Sequence, residues 1–161
     1  MDLRVIPNLF HENRIHRRER DPEDPRGYLG LASLHLTRGA PDEGLEFLDR
    51  YLSLVGPSGR VSADFLELRQ DLIARSQIPH LPPENPFSER IRALHRIARA
   101  ASPKVVPHLL PLLDDPNYRI RWGTAHALGE ICRVDDSTAS RLGLDRAAWT
   151  KWIEENPRSE E

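Results

Sequence analysis

"DDPNYRIRWGTAHALGEI", residues 114–131, is the stretch whose reading decides the fold. Asp-Pro at its head marks the approach to a helix, since proline lacks an amide hydrogen and suits a helix start. Behind it Ile120, Thr124, Ala127, Leu128 and Ile131 recur at helical spacing, which predicts one buried stripe. Arg119, Trp122, His126, Glu130 and Arg133 fall nearly opposite. A tryptophan on that polar side has two readings. The next helix covers it, with Trp149 as its neighbour, or it is offered to a partner; the first is the default.

Working outward, the rest of the chain also reads as helix. No segment alternates with β-branched residues, so strands are not expected. Asp24-Pro25 opens a helix that runs to Arg38 and stops at Gly39, with Tyr28, Leu29, Leu31, Leu34 and Leu36 spread nearly all round it. "APDEGLEFLDRYLSLVG", 40–56, predicts a second helix with Leu45, Phe47, Leu48, Tyr51, Leu52, Leu54 and Val55 on one face. A third begins after Ser62 and carries Phe65, Leu66, Leu68, Leu72 and Ile73. "SQIPHLPPENPF", 76–87, has four prolines in twelve residues and reads as an extended, stiff linker between domains. Beyond it "SERIRALHRIARAA" (88–101) and "PKVVPHLLPLLDD" (103–115) are helical by period. "GLDRAAWTKWIEEN", 143–156, closes the chain, with Asp145 as N-cap and a stripe of Trp149, Trp152 and Ile153. Residues 1–20 are ambiguous, and 156–161 read as a frayed tail.

Composition narrows the function classes. The 161 residues suffice for one or two small cores. Net charge is −2, and residues 1–80 carry 11 basic against 13 acidic side chains while residues 81–161 carry 12 against 12. That balance argues against a strongly basic nucleic-acid module. A single cysteine, Cys132, excludes an internal disulfide and reads as a buried thiol. The start, "MDLRVIP", is not a signal peptide, and no run approaches the roughly 18 apolar residues of a membrane span. The expectation is a soluble cytoplasmic protein.

Short marked turns between helix pairs suggest stacked repeats. Residues 24–57 resemble a tetratricopeptide repeat: with Gly39 on the turn glycine, Tyr28 takes the aromatic position, Leu31 the leucine, Ala32 the small residue and Leu48 the large apolar residue of the second helix. Gly44 departs from the usual alanine there, and Tyr51 from a small residue. Residues 103–132 resemble a HEAT-type repeat of the bacterial kind, with an apolar first helix, Asp115-Pro116, Ile120-Arg121, and Ala127-Leu128-Gly129 leading to Ile131. Thr124 departs from the customary alanine. Segment 88–101 looks like the second helix of a degenerate preceding repeat, and the Trp149–Trp152 helix like a terminal cap. The HEAT resemblance implies that Asp115 and Arg121 are structural, knitting repeats together; Asp115 stands where it can accept the second helix's orphan amide hydrogens.

Catalytic and metal motifs are sparse. "HENRIH", 11–16, sets its histidines five apart, about 140° round a helix, where chelation on one face wants four. There is no glycine-rich phosphate loop, nucleophile elbow or paired-cysteine motif. Arg92, Arg96 and Arg99 form a stripe beside His95 that suits phosphate or an acidic partner, and equally a solvated helix face.

These observations predict an all-α solenoid of stacked antiparallel helix pairs: a tetratricopeptide-like unit over 1–75, a linker over 76–87, and a HEAT-like unit over 88–155. The resemblances imply a non-enzymatic scaffold or adaptor that binds another protein and needs no cofactor or metal. Candidate contact residues are Arg92, Arg96, Arg99, Arg119, Trp122 and His126. HEAT-like proteins also include bilin lyases, chaperone-like subunits and nucleic-acid binders; visible absorbance with a bilin or salt-sensitive DNA binding would mark those alternatives.

Overall fold

A computed structural model describes residues 24–57 and 59–157, and these are all-α. The helices are α1 (Pro25–Arg38), α2 (Pro41–Val55), α3 (Ala63–Gln77), α4 (Phe87–Ala100), α5 (Val106–Leu109), α6 (Tyr118–Cys132), α7 (Asp136–Leu142) and α8 (Arg146–Glu155). No strand occurs among the described residues, so the fold is an α-solenoid type built of packed helix pairs. "HENRIH", the whole of the ambiguous leading segment 1–20 and residues 158–161 of the expected tail lie outside the described residues.

The chain divides into two compact units, Met1–Leu72 and Ile73–Glu161, with the division inside α3. In the first unit α1 and α2 pack as a pair. Asp24 caps α1 by accepting from the Arg26 amide, and Pro25 follows in the first turn. Gly39 ends it at φ 74°, a left-handed conformation that lets the Ala40 amide turn back to the His35 carbonyl. The core joins Tyr28, Ala32, Leu48, Tyr51, Phe65 and Leu72, with the Tyr51 and Phe65 rings stacked 5.1 Å apart. Gly44 is explained here: a Cβ would lie 2.6 Å from Leu72 Cδ2 and 3.2 Å from the Ala32 carbonyl oxygen. Ser62 accepts from the Phe65 amide and so starts α3.

In the second unit α4 packs on α6, and the segment 103–114 packs on α6 and α8. Leu94, Ile97, Val105, Leu109, Leu113, Ile120, Ala127, Leu128, Ile131 and Trp149 are buried together. Each leucine-sized side chain so buried contributes roughly 1.5–3 kcal/mol before entropy is charged against it. The Trp149 indole is fully enclosed and donates to the Gly143 carbonyl at 3.0 Å.

Three local expectations change. The proline-rich stretch is not extended throughout: Ser76 and Gln77 finish α3, Ile78–His80 form a 3-10 turn, and Leu81 is buried in the second core. The segment 103–114 is not one helix but a 3-10 turn, the single turn α5 and a second 3-10 turn. Pro103, Pro107 and Pro111 recur every four residues and remove the amide hydrogens a continuous α-helix would use. Cys132 is half-buried, at the edge of the core. The short helix α7 was not anticipated; Asp135 caps it by accepting from the Thr138 amide and hydroxyl, which hold its carboxyl below the ordinary range. Helices α4 and α6 both end on non-glycine residues in left-handed conformation, Ala101 and Arg133, each at φ 53°.

Candidate protein-binding face

α4 and α6 both bury an apolar stripe, which leaves their opposite sides to solvent. Arg90, Ala93, Leu94, Ile97 and Ala100 of α4 turn inward, so Arg92, His95, Arg96 and Arg99 face out. Ile120, Thr124, Ala127, Leu128 and Ile131 of α6 turn inward, as their spacing predicts. Thr124 stands in the alanine position and satisfies its buried hydroxyl by donating to the Ile120 carbonyl at 2.7 Å.

Trp122 is exposed to 57% and is not covered by α8, which corrects the default expectation. Trp149 cannot reach out to it because its own ring is spent filling the core, edge-on to Trp152 at 6.5 Å. Trp122 instead lies parallel to the His126 imidazole, 5.8 Å away with 5° between planes. The pair forms part of a groove of about 340 Å³ that continues over Ala125, Val134 and Leu144, with the enclosed Trp149 beneath.

A second groove, of about 440 Å³, is lined by Arg92, His95, Arg96 and Arg99 from α4 and by His126 and Glu130 from α6. His126 and Glu130 wall both grooves. Five of the six candidate contact residues therefore share one face. The sixth, Arg119, is exposed in the first turn of α6 and lines neither groove.

Beneath this face lies a buried polar connection that the sequence reading did not find. Arg90, on the inward side of α4, donates from Nη2 to Asp115 Oδ2 and from Nε to the Leu81 carbonyl. Both charged side chains are under a tenth exposed. Asp115 Oδ1 also accepts from the Asn117 amide at 2.9 Å. Burial works against the Asp115 charge, but the Arg90 hydrogen bond, the Asn117 amide and the charges of Arg90 and Arg121 outweigh it and hold the carboxyl below its ordinary value. Asp115 is thus not the cap of α6. Asn117 is, accepting from the Arg119 amide, because Pro116 and an extended Asp115 backbone place the helix start two residues later. Arg121 braces the same turn by donating to the Asp115 and Pro116 carbonyls at 2.7 and 3.2 Å, with its cation 5.6 Å from the Tyr118 ring centre.

An apolar helical segment broken by prolines (103–114), an Asp-Pro turn, the apolar helix α6 and an arginine closing that turn form a recognisable unit. Residues 82–143 match the family model for HEAT repeats. This HEAT-like segment begins in the proline-rich stretch, ends at Gly143, and does not include residues 24–75. No curated protein and no solved structure matches the chain. The HEAT-like segment contains both grooves except for Leu144 and Trp149 at the edge of one. No group of three His, Cys, Asp or Glu side chains is placed to hold a metal among the described residues, and none of their helices is long and apolar enough to cross a membrane.

Proposed function

We propose that this chain is a protein-recognition module that seats a partner protein on the outer face of α4 and α6 and performs no chemistry of its own. The observation that carries this reading is the exposed, ring-stacked Trp122 beside the arginine-lined groove. Large rigid aromatics and arginines are the residue types that dominate binding energy at interfaces. HEAT repeats commonly serve protein–protein interaction, which agrees with it. In this reading Arg92, Arg96, Arg99, Trp122 and His126 make the contacts, Arg119 extends them at the rim, and Asp115 and Arg121 hold the repeat in shape. The described residues before Ile73 then form a tetratricopeptide-like unit, and the proline-rich stretch belongs to the HEAT-like unit.

The test compares two baits in a pull-down, the wild-type chain and Trp122→Ala, with melting measured on both. The expected result is a protein retained by wild type and lost by a variant that melts normally. Identical retention by both baits would sink the proposal.

A further inference from the structure

The two grooves that meet at His126 and Glu130 also define the chemistry of what they bind, an inference that rests on the docking face proposed above. Arg92, Arg96 and Arg99 stand at i, i+4 and i+7 and so spread over roughly 10 Å of helix axis. Among the described residues Arg92 and Arg99 carry no ion pair, and Arg96 has one long hydrogen bond, 3.5 Å to Gln77 Oε1. Glu130 is the single carboxylate among the described residues that lines the groove with these three cations. Three guanidinium groups on one helix face repel each other, and carboxylates relieve that repulsion while matching the flat guanidinium fork. In an extended peptide alternate side chains point the same way at intervals of roughly 6.5–7 Å. Two or three acidic residues at every second position therefore span the stripe.

The neighbouring groove asks for something else. The Trp122–His126 platform and the apolar surface of Ala125, Val134 and Leu144 suit one large apolar side chain, while Glu130 and Asp136, which also line this groove, disfavour a carboxylate there. Because the grooves share a wall, acidic run and apolar residue must be adjacent in one ligand. We infer that the partner presents an extended acidic peptide segment, Asp or Glu at alternate positions beside one large apolar or aromatic residue. A nucleic acid fits less well. Duplex binding draws much of its strength from neutralising several phosphates at once, whereas this face offers three arginines and sets Glu130 among them. A peptide can turn a backbone amide toward Glu130; a phosphate chain cannot.

Selection of a random phage-displayed peptide library on the whole chain tests this, with Trp122→Ala and the triple variant Arg92→Gln/Arg96→Gln/Arg99→Gln as parallel baits. If the triple variant does not fold, Arg92→Gln/Arg99→Gln replaces it, since neither of those side chains has an ion-pair partner among the described residues. The expected peptides are rich in Asp and Glu beside Phe, Trp or Leu. A labelled, resynthesised one should lose about tenfold or more in affinity to the arginine variant and should weaken as salt rises. Peptides without acidic enrichment that are still lost on Trp122→Ala would overturn the acidic inference and leave the docking face standing. Peptides retained equally by every bait would overturn both. A duplex DNA oligonucleotide that binds more tightly than any selected peptide, and is lost in the arginine variant, would also overturn it.

Discussion

The first unit is closed by rings and leucines, with Tyr51 stacked on Phe65 and Leu72 filling the space that Gly44 leaves open. The second is closed by aliphatic side chains and Trp149, and it encloses an arginine–carboxylate pair between α4 and the turn before α6. Among the described residues the one buried side-chain nitrogen without a hydrogen-bond partner, His35 Nδ1, belongs to the first unit, where it lies against the Phe47 ring. The difference separates two ways of fixing a helix pair. Packed rings and leucines fail gradually when an atom is added or removed, although the first unit also buries one charged side chain, Asp71. A buried ion pair fails abruptly, because each member alone is an uncompensated charge.

All three tryptophans lie in the second unit, so tryptophan emission during denaturation follows that unit, and far-UV dichroism follows both. Trp149→Ala should have the largest effect, about 4 kcal/mol lost from the second unit, through the cavity and the abandoned Gly143 carbonyl. Arg90→Ala should follow at about 3 kcal/mol, since it strands the Asp115 carboxylate in the core. An Arg90→Ala chain as stable as wild type in urea would erase the contrast between the units.

Acid sharpens the same contrast. The Asp115 carboxyl titrates below its ordinary value in the folded chain, so its contribution is complete above about pH 4 and is lost as the pH falls through the lowered folded value. Asp115→Asn should remove that component of the acid transition of the second unit, measured by tryptophan emission against pH. An unchanged transition would show that Asp115 does not set it. Gly44→Ala should cost the first unit about 1–2 kcal/mol, since Leu72 and the Ala32 carbonyl must give way. A stabilised variant would mean that the tight contact relaxes freely. Trp122→Ala should be smallest, within about 0.5 kcal/mol of wild type, because more than half of that side chain already faces water. A loss comparable with Trp149→Ala would make Trp122 part of the core.

What the sequence makes legible is whatever is encoded within a few residues. Asp24-Pro25, Gly39, Ser62 and Asp145 mark helix ends by local hydrogen bonds, and the inward stripe of α6 follows from spacing alone. The arginine stripe and Trp122 are equally visible, but their meeting across His126 and Glu130 depends on how α4 packs on α6. The Arg90–Asp115 pair spans 25 residues and escaped for the same reason. One signal did exist: Arg90 stands three and four residues before Ala93 and Leu94, on the apolar side of its helix, where an arginine needs a buried partner. The exposure of Trp122 was undecidable locally, because it turned on where Trp149 spends its ring.

Ala101 and Arg133 end α4 and α6 with side chains in a backbone region that glycine occupies without steric penalty. The chain has therefore not been driven to its greatest possible resistance to heat. Ala101→Gly and Arg133→Gly each remove a Cβ that crowds the carbonyl, and each should raise the melting point slightly, by an amount worth up to about 1 kcal/mol. Neither residue lines either groove of the candidate face. Engineering for durability and engineering for recognition can thus proceed on the same two helices without competing for the same positions.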